Sequence, residues 1–309
     1  MARASAPGKL ILFGEHAVVF GEPALATAID LRTEVQVRPD KAWHVNGGSL
    51  EDAEHAYVRH AVGLAWGGGP LGLEIRSMIP VGCGLGSSAA VTVATLGALD
   101  ALGGTEVREE TVARRAFEVE HAVQGRASPI DTSTASHGSA VLVLKEPGDG
   151  LLWRIERDTR RWFLHHCSLP ATGFIVGNTG IAAATGPLVA GVRERVERDP
   201  RAADAVREIG AITLEGLRAL QRRDLVRAGE LMDRNHELLN DLGVGHPSLD
   251  RLVAAARPHA YGAKLTGAGG GGSMFALTDE PDKVRTAIEA AGGKAYLVET
   301  EPRGLEVST

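Results

Sequence analysis

A run of glycines and serines stands directly before an apolar, alanine-rich segment in PVGCGLGSSAAVTVATLGALDAL, residues 80–102. The first turn of a helix leaves backbone N–H groups without partners and carries a partial positive charge, so it attracts anions. Glycine exposes those N–H groups because it tolerates positive φ and has no Cβ. The pattern predicts a phosphate-binding loop that leads into a helix over 87–102. The alternative is a tight strand-to-helix turn with a serine N-cap.

Two standard nucleotide-binding motifs are excluded. No GK[ST] follows the loop, so it is not a Walker A motif, and its glycines at 82, 84 and 86 are evenly spaced, unlike a dinucleotide fingerprint. The later loop GAGGGG, residues 267–272, does match G-x-G-x-x-G, but a strand-like segment follows it where the dinucleotide motif needs a helix.

A phosphoryl-transfer site needs an acid to hold a metal, a carboxylate near the acceptor and a cation, and two carboxylates of this chain stand in suitable places for the first two roles. Glu120 lies towards the end of a helix expected over 107–123, and Asp131 follows a turn that contains Gly125, Ser128 and Pro129. Taken alone, Glu120 would be a solvated helix residue and Asp131 a helix cap, while Lys9 would lie on the surface.

Hydrophobic periodicity indicates the elements that must position these residues. Strands are expected at 9–14, 24–30, 32–40, 71–79, 137–146, 151–157, 173–178 and 294–300, with a strand, loop and strand over 262–277. Helices are expected at 87–102, 107–123, 186–199, 202–220, 223–243 and 247–257, with one more before the last strand. The chain therefore predicts an α+β protein of two domains, 1–165 and 166–309.

Composition narrows the class of protein. The net charge of −6 over 309 residues argues against a broad nucleic-acid surface. Cys83 and Cys167 provide no disulfide framework and suit a reduced compartment. The uncharged stretch 77–99 is long enough to span a membrane, but Pro80 and its glycines break the first third. We expect a cytoplasmic protein without membrane or nucleic-acid partners.

Three segments together resemble, in order, the motifs of one small-molecule kinase superfamily, that of galactokinase, homoserine kinase, mevalonate kinase and phosphomevalonate kinase (GHMP). They are APGKLILFGEHAVVFGEPALATAID at 6–30, PVGCGLGSSAA at 80–90 and KLTGAGGGGSMFAL at 264–277. The resemblance implies a ribosomal-protein-S5-like α/β domain, a ferredoxin-like α+β domain and an active site in the cleft between them. It also implies ATP and Mg²⁺ as cofactors and, by analogy, a homodimer.

The resemblance assigns roles residue by residue. Asp131 would be the general base, with Lys9 beside it to lower its pKa and stabilise the reacting oxygen. Ser88 and Glu120 would hold the metal. The acceptor would be bound by His16 and Thr185, and by Glu15, which would orient it. The phosphate loop would comprise Gly84, Leu85, Gly86, Ser87, Ser88 and Ala89, and the supporting third motif Gly267, Gly269 and Gly270.

One segment departs from the superfamily pattern, which commonly shows Pro-Ser-Gly before its aspartate. Here the order is Ala127-Ser128-Pro129-Ile130. A loop of different shape would place Asp131 differently towards the acceptor.

Within the superfamily, GEHAVVFGEPA is most similar to the mevalonate kinases, which implies phosphorylation of the primary (C5) hydroxyl of mevalonate. A sister kinase that acts on phosphomevalonate or a sugar is the nearest alternative. A phosphorylated acceptor should demand further Lys or Arg beside Lys9 and His16, and that segment has none. Relatives that decarboxylate mevalonate compounds and a non-catalytic ligand sensor on the same fold stay open.

Overall fold

Two β-sheets organise the chain, and helices pack against both. The computed structural model describes residues 1–80, 82–125, 127–182 and 185–308. The strands are β1 (Ala2–Phe13), β2 (Ala24–Pro39), β3 (His44–Val45), β4 (Gly48–Ser49), β5 (Leu71–Ser77), β6 (Ala140–Leu144), β7 (Leu151–Arg157), β8 (Arg160–Cys167), β9 (Gly173–Asn178), β10 (Gly262–Thr266), β11 (Ser273–Leu277), β12 (Lys294–Glu299) and β13 (Glu306–Ser308). The helices are α1 (Ala56–Ala65), α2 (Ser87–Leu102), α3 (Glu109–Gln124), α4 (Ile130–His137), α5 (Thr185–Arg198), α6 (Pro200–Gln221), α7 (Leu225–Asp241), α8 (Pro247–Ala256) and α9 (Pro281–Ala290).

The first sheet is built around β2. Its strands follow the order β4-β3-β5-β2-β6-β8-β7, and β1 pairs antiparallel with both β2 and β13. Although two strands were expected over 24–40, β2 is continuous: one end pairs with β6 and the other with β5. Helix α2 packs against β1 and β2 on one side and against α1 and α3 on the other. Its small apolar residues are buried all round, which explains why the helix carries no charge before Asp100; Asp100 is itself buried and forms an ion pair with Arg115.

The second sheet has the order β10-β11-β9-β12 and is antiparallel throughout. Helix α7 packs on β10, α8 on β10 and β11, and α9 on β9 and β12. In contrast, α5 is mostly exposed and buries only Val192. Because residue 165 lies inside β8, a strand of the first sheet, we propose that the domain division falls between Cys167 and Gly173.

The α+β architecture is confirmed, and α2 has the expected bounds. The expected helices over 186–257 are also confirmed, with ends shifted by up to two residues. Two short helices, α1 and α4, were missed. Segment α4 reads IDTSTASH, whose Ser and β-branched residues are weak helix formers. Tertiary packing overrides that preference, since five of its central residues are buried and Thr134 donates to the Ile130 carbonyl at 2.7 Å.

Within the described ranges, no helix combines the length and the apolar character needed to cross a bilayer.

Candidate active site

A cavity of about 310 Å³ lies where the three glycine-containing segments converge, and this volume is typical of small-ligand sites. The phosphate loop and the start of α2 form one wall, and the third glycine loop forms another. The segment that follows β1, the start of α4 and one face of α5 complete it. The three motifs are therefore brought together as the sequence predicted.

The phosphate loop enters α2 through Gly86, which is the N-cap and has a left-handed conformation with φ of 76°. Ser87 and Ser88 form the first turn and line the cavity, so the alternative of a serine N-cap is wrong. Gly82, Gly84 and Gly86 also line it. Leu85 and Ala89 are buried in the core instead and anchor the loop from behind.

Lys9 connects the phosphate loop to Asp131. Its Nζ lies 3.1 Å from Asp131 Oδ2 and donates to the Gly84 carbonyl at 3.1 Å, and its backbone N–H donates to the Leu85 carbonyl. Lys9 is buried, whereas the Asp131 side chain keeps 27% of its surface exposed. The surface role considered for Lys9 is therefore wrong.

Asp131 is the second residue of α4, and Pro129 occupies the N-cap position, so Asp131 is neither a cap nor part of a loop. A carboxylate in the first turn of a helix is stabilised by the helix dipole. Asp131 therefore meets a cationic lysine and the positive end of α4 together.

Glu120 is buried at 3% exposure, which makes the solvated role wrong. Its Oε1 accepts a hydrogen bond from Ser88 Oγ at 3.1 Å. Burial, and secondly the negative charge of Asp131, raise the pKa of Glu120 to about 8. Both effects disfavour a second negative charge here unless a cation joins the site.

A second lysine–carboxylate pair joins the first motif to the third. Lys264 Nζ donates to Glu15 Oε1, and both side chains are fully buried. Burial raises the pKa of Glu15 and lowers that of Lys264. Glu15 was expected to bind and orient the acceptor; it lines the cavity, and its side-chain hydrogen-bond partner is Lys264.

His16 is bound to the third glycine loop. Its Nε2 lies 2.9 Å from the Ala268 carbonyl, which can only accept, so Nε2 carries the hydrogen. Burial lowers the pKa of His16, and its backbone is left-handed at φ of 59°. Such strain concentrates at functional sites. His16 is thus a neutral side chain in the cavity wall, and its hydrogen bond to the Ala268 carbonyl fixes its orientation.

The third glycine loop connects β10 to β11 and lies against the phosphate loop. A Cβ on Gly267 would contact Gly84 Cα at 3.8 Å, and the Gly270 N–H donates to the Val244 carbonyl at 2.8 Å. Gly269 has φ of 78°, and a Cβ there would lie 2.0 Å from the same carbonyl oxygen, so only glycine fits. Gly267 and Gly269 line the cavity, whereas Gly270 supports it from outside.

Thr185 begins α5 and lines the cavity together with Val189 and Arg193. These three residues are spaced by four and share one helix face. The sequence analysis missed Arg193, although its spacing of eight residues from Thr185 would have placed both on one helix face. Among the described residues no carboxylate pairs with Arg193, so its charge is available to a ligand. Further lining residues that were missed are Gln124, Ser128, Arg160, Val18 and Val19.

The amino-acid sequence was compared with protein-family models and with known proteins, and both comparisons match kinases. Residues 54–139 match the GHMP kinase N-terminal domain, and residues 217–296 match the GHMP kinase C-terminal domain. Mevalonate kinase of Pyrococcus abyssi is 36% identical over 98% of this chain and 97% of its own length. Mevalonate kinase of Methanothermobacter thermautotrophicus is 37% identical over 98% of both chains.

Solved structures show the same fold. The crystal structure of L. major mevalonate kinase in complex with R-mevalonate superposes with a TM-score of 0.84 at 26% identity, covering 97% of this chain and 96% of that one. Streptococcus pneumoniae phosphomevalonate kinase in complex with phosphomevalonate and AMPPNP superposes with a TM-score of 0.80 at 19% identity, covering 97% and 100%.

The chain belongs to the GHMP kinases, an assignment that rests on both family domains and on relatives matched over nearly their full length. The full-length relatives cited above are mevalonate kinases. The superfamily resemblance noted in the sequence is thereby confirmed.

Proposed function

We propose that this chain transfers the γ-phosphoryl group of ATP to the C5 hydroxyl of mevalonate, giving 5-phosphomevalonate and ADP. The observation that carries the proposal is the Lys9–Asp131 pair at 3.1 Å beside the phosphate loop. It supports the proposal because phosphoryl transfer needs a carboxylate and a cation beside the bound triphosphate. Full-length similarity to mevalonate kinases supports the choice of acceptor.

In the proposed mechanism Asp131 accepts the proton of the C5 hydroxyl while that oxygen bonds to the γ-phosphorus. The bond from the γ-phosphorus to the bridging oxygen breaks, and ADP leaves with that oxygen. Lys9 orients Asp131 through their ion pair and stabilises negative charge that develops on the transferred group. The N–H groups from Gly84 to Ser88 would bind the β- and γ-phosphates.

Magnesium fits the residues present. Ser88 Oγ and the Glu120 carboxylate are hard oxygen donors that already lie 3.1 Å apart. The raised pKa of Glu120 marks a buried carboxylate that a cation would stabilise. The described residues contain no cluster of three or more His, Cys, Asp or Glu ligands, which suits Mg²⁺, since it is usually held by one or two carboxylates plus substrate phosphates. When bound, the ion would neutralise charge on the phosphates.

Mevalonate carries a carboxylate, two hydroxyls and a methyl group, and the cavity offers complementary groups. Arg193 is the cation on its α5 wall, and a guanidinium can bind a carboxylate through two parallel hydrogen bonds. Val18, Val19 and Val189 provide apolar surface for the methyl group. We propose that Arg193 binds the carboxylate and that His16 and Thr185 contact the hydroxyls.

The test is ADP release with MgATP against mevalonate, phosphomevalonate, homoserine and galactose. We expect turnover with mevalonate alone, and a loss of at least about 100-fold in Asp131→Asn, as for removal of a general base. Asp282→Asn on exposed helix α9 is the matched control and should retain full activity. Turnover with another acceptor would refute the assigned substrate, and nucleotide binding without any turnover would favour a ligand sensor.

A homodimer and a cytoplasmic location remain predictions.

A further inference from the structure

A C-terminal strap, residues 300–305, follows β12 of the second sheet and returns to the first sheet, where it enters β13. On this path it passes the C-terminal end of α4, the short helix whose second residue is Asp131. Strand β13 then pairs with β1, which carries Lys9. The strap lies outside the three motifs, yet it touches the helix that carries the proposed general base.

Two contacts join the strap to α4. The backbone N–H of Leu305 donates to the Ser136 carbonyl at 2.9 Å. The last four carbonyls of a helix have no partner inside it, and this bond satisfies one of them. Gly304 lies against the same turn, since a Cβ there would be 2.2 Å from the Ser136 carbonyl oxygen and 2.4 Å from the His137 carbonyl carbon. The two backbones are therefore in direct contact, with no room for a side chain between them.

The strap is anchored on its other side by β2. Arg32 of β2 donates from Nη2 to the Gly304 carbonyl at 2.6 Å and from Nη1 to the Arg303 carbonyl at 3.0 Å. The backbone N–H of Glu301 donates to the carbonyl of Ala28, also in β2, at 2.9 Å. The strap is thus fixed between β2 and the end of α4, so its thickness at Gly304 sets where that end lies.

The position of α4 matters because Asp131 lies at its other end. The helix has only eight residues, about two turns, so a push on one end displaces the other. Gly304 does not have positive φ, so it is the contact with α4 that requires glycine there. We propose that Gly304 is a positioning residue that sets the place of α4 and thereby of Asp131 beside Lys9. The inference rests on the proposed role of Asp131, but it does not depend on which acceptor is phosphorylated.

The first test is structural, with Gly304→Ala as the variant. Carbon atoms pack at about 3.5–4.0 Å, so the new methyl group must separate α4 from the strap by roughly 1 Å. Crystal structures of the parent and variant proteins would be compared. We expect the distance from Lys9 Nζ to Asp131 Oδ2, 3.1 Å in the parent chain, to exceed about 4 Å, beyond an ion pair. The Lys9 bond to the Gly84 carbonyl should remain. An unchanged Lys9–Asp131 distance would overturn the proposal.

The second test separates catalysis from nucleotide binding. We expect Gly304→Ala to lower kcat by about 10- to 100-fold, the effect of misplacing a reacting group by about 1 Å. Affinity for the ATP analogue AMPPNP, measured by calorimetry, should stay within about twofold, because the phosphate loop is not displaced. The binding stoichiometry counts folded molecules, so kcat can be expressed per folded molecule. Equal losses of kcat and AMPPNP affinity would contradict a positioning role.

Gly293→Ala is the matched control. It also adds a methyl group at a close contact without positive φ, since its Cβ would lie 2.8 Å from Leu252 Cδ1 and 2.9 Å from Ile288 Cγ2. That contact lies between α8 and α9, which pack on the second sheet. We expect lower stability with kcat per folded molecule unchanged. A loss of kcat equal to that of Gly304→Ala would show that the effect is not specific to α4.

A second variant keeps the test decisive if Gly304→Ala folds poorly. Leu305 is half-buried and lies over Gly97 of α2, where an added Cβ would be 2.8 Å from Leu305 Cδ1. Leu305→Ala keeps the backbone bond to Ser136 but loosens the strap against α2. We expect a smaller decrease in kcat, with AMPPNP affinity unchanged, and no further decrease when Leu305→Ala is added to Gly304→Ala. An unchanged kcat in Leu305→Ala, or losses that simply add, would overturn the proposal.

The Lys9–Asp131 distance is measured without turnover. If the parent chain phosphorylated no acceptor, the proposed function would fail, while the effect of Gly304 on α4 would still be decided by the two crystal structures.

Discussion

Two lysine–carboxylate pairs lie beside one cavity and differ in access to solvent. In the Lys9–Asp131 pair the carboxylate retains 27% exposure, and the lysine also bonds to the phosphate loop. In the Lys264–Glu15 pair both side chains have no exposure at all. One pair can therefore exchange a proton with a ligand, whereas the other is enclosed.

The difference separates chemistry from positioning. A group that accepts a substrate proton must reach the substrate, so Asp131 needs its opening to the cavity. Lys264 and Glu15 instead join β10 of the second sheet to the segment after β1 of the first. They hold His16 and the third glycine loop together across the two sheets. The predictions below test this division of roles.

The largest effect is expected for Lys264→Met. It leaves the buried Glu15 without its ion-pair partner, and breaking a buried pair in this way costs about 3–5 kcal/mol of unfolding free energy. Urea unfolding would measure it. The double variant Glu15→Gln/Lys264→Met removes both charges and should recover part of the loss. A loss below about 1 kcal/mol in the single variant would show that the pair does not join the sheets.

Lys9→Met should lower kcat by about 10²–10³, the usual effect of removing a cation or donor that stabilises the transition state. Its effect on unfolding should be smaller than that of Lys264→Met, because water can reach the remaining Asp131 carboxylate. Steady-state ADP release measures kcat, and urea unfolding of the same preparation measures the unfolding free energy. A large stability loss with normal kcat would reverse the roles assigned to the two pairs.

The sequence revealed the solvent-accessible Lys9–Asp131 pair, here called the open pair, better than the enclosed Lys264–Glu15 pair. Lys9 follows Pro7 and Gly8 in the first motif, and Asp131 follows a turn that contains Pro129. The resemblance to the superfamily singled out both residues. Lys264 begins a recognisable motif, but that a lysine side chain would be fully buried against Glu15, 249 residues away, depends on tertiary packing alone. Local patterns carry no signal for such a contact.

A similar limit applies to α4 and Tyr57. The eight residues of α4 have weak helix propensity and become helical because the fold buries them. Tyr57 meets Gln124, 67 residues away, only because α1 packs against two later helices. In contrast, Gly86 and α2 could be predicted, since a glycine that admits positive φ before an apolar run is a local signal.

Gly86→Ala would disturb the open pair through the backbone. Its φ of 76° costs an L-residue about 1–2 kcal/mol, and the new Cβ would lie 2.7 Å from Lys9 Cγ. We expect lower stability together with lower kcat, because Lys9 must move. Gly104→Ala is the matched control, with φ of 72° and no atom within 4 Å of the new Cβ. Gly104→Ala should lower stability through backbone strain but leave kcat unchanged. Equal kcat in the two variants would mean that the position of Lys9 does not depend on Gly86.

The remaining prediction is a pH dependence of magnesium binding. A metal ligand must be ionised, and Glu120, with its pKa of about 8, is largely protonated at neutral pH in the metal-free protein. Raising the pH from 6 towards 8 removes that proton, so the Mg²⁺-dependent gain in AMPPNP affinity should rise by up to about tenfold per pH unit and level off above the pKa.

Glu120→Gln should give a weaker gain that no longer rises beyond the pH dependence of the nucleotide itself. Asp131→Asn should move the plateau to lower pH, because it removes the negative charge that contributes to the raised pKa of Glu120. A profile that is identical in Asp131→Asn would mean that burial alone sets that pKa and that the open pair does not act on the metal ligand.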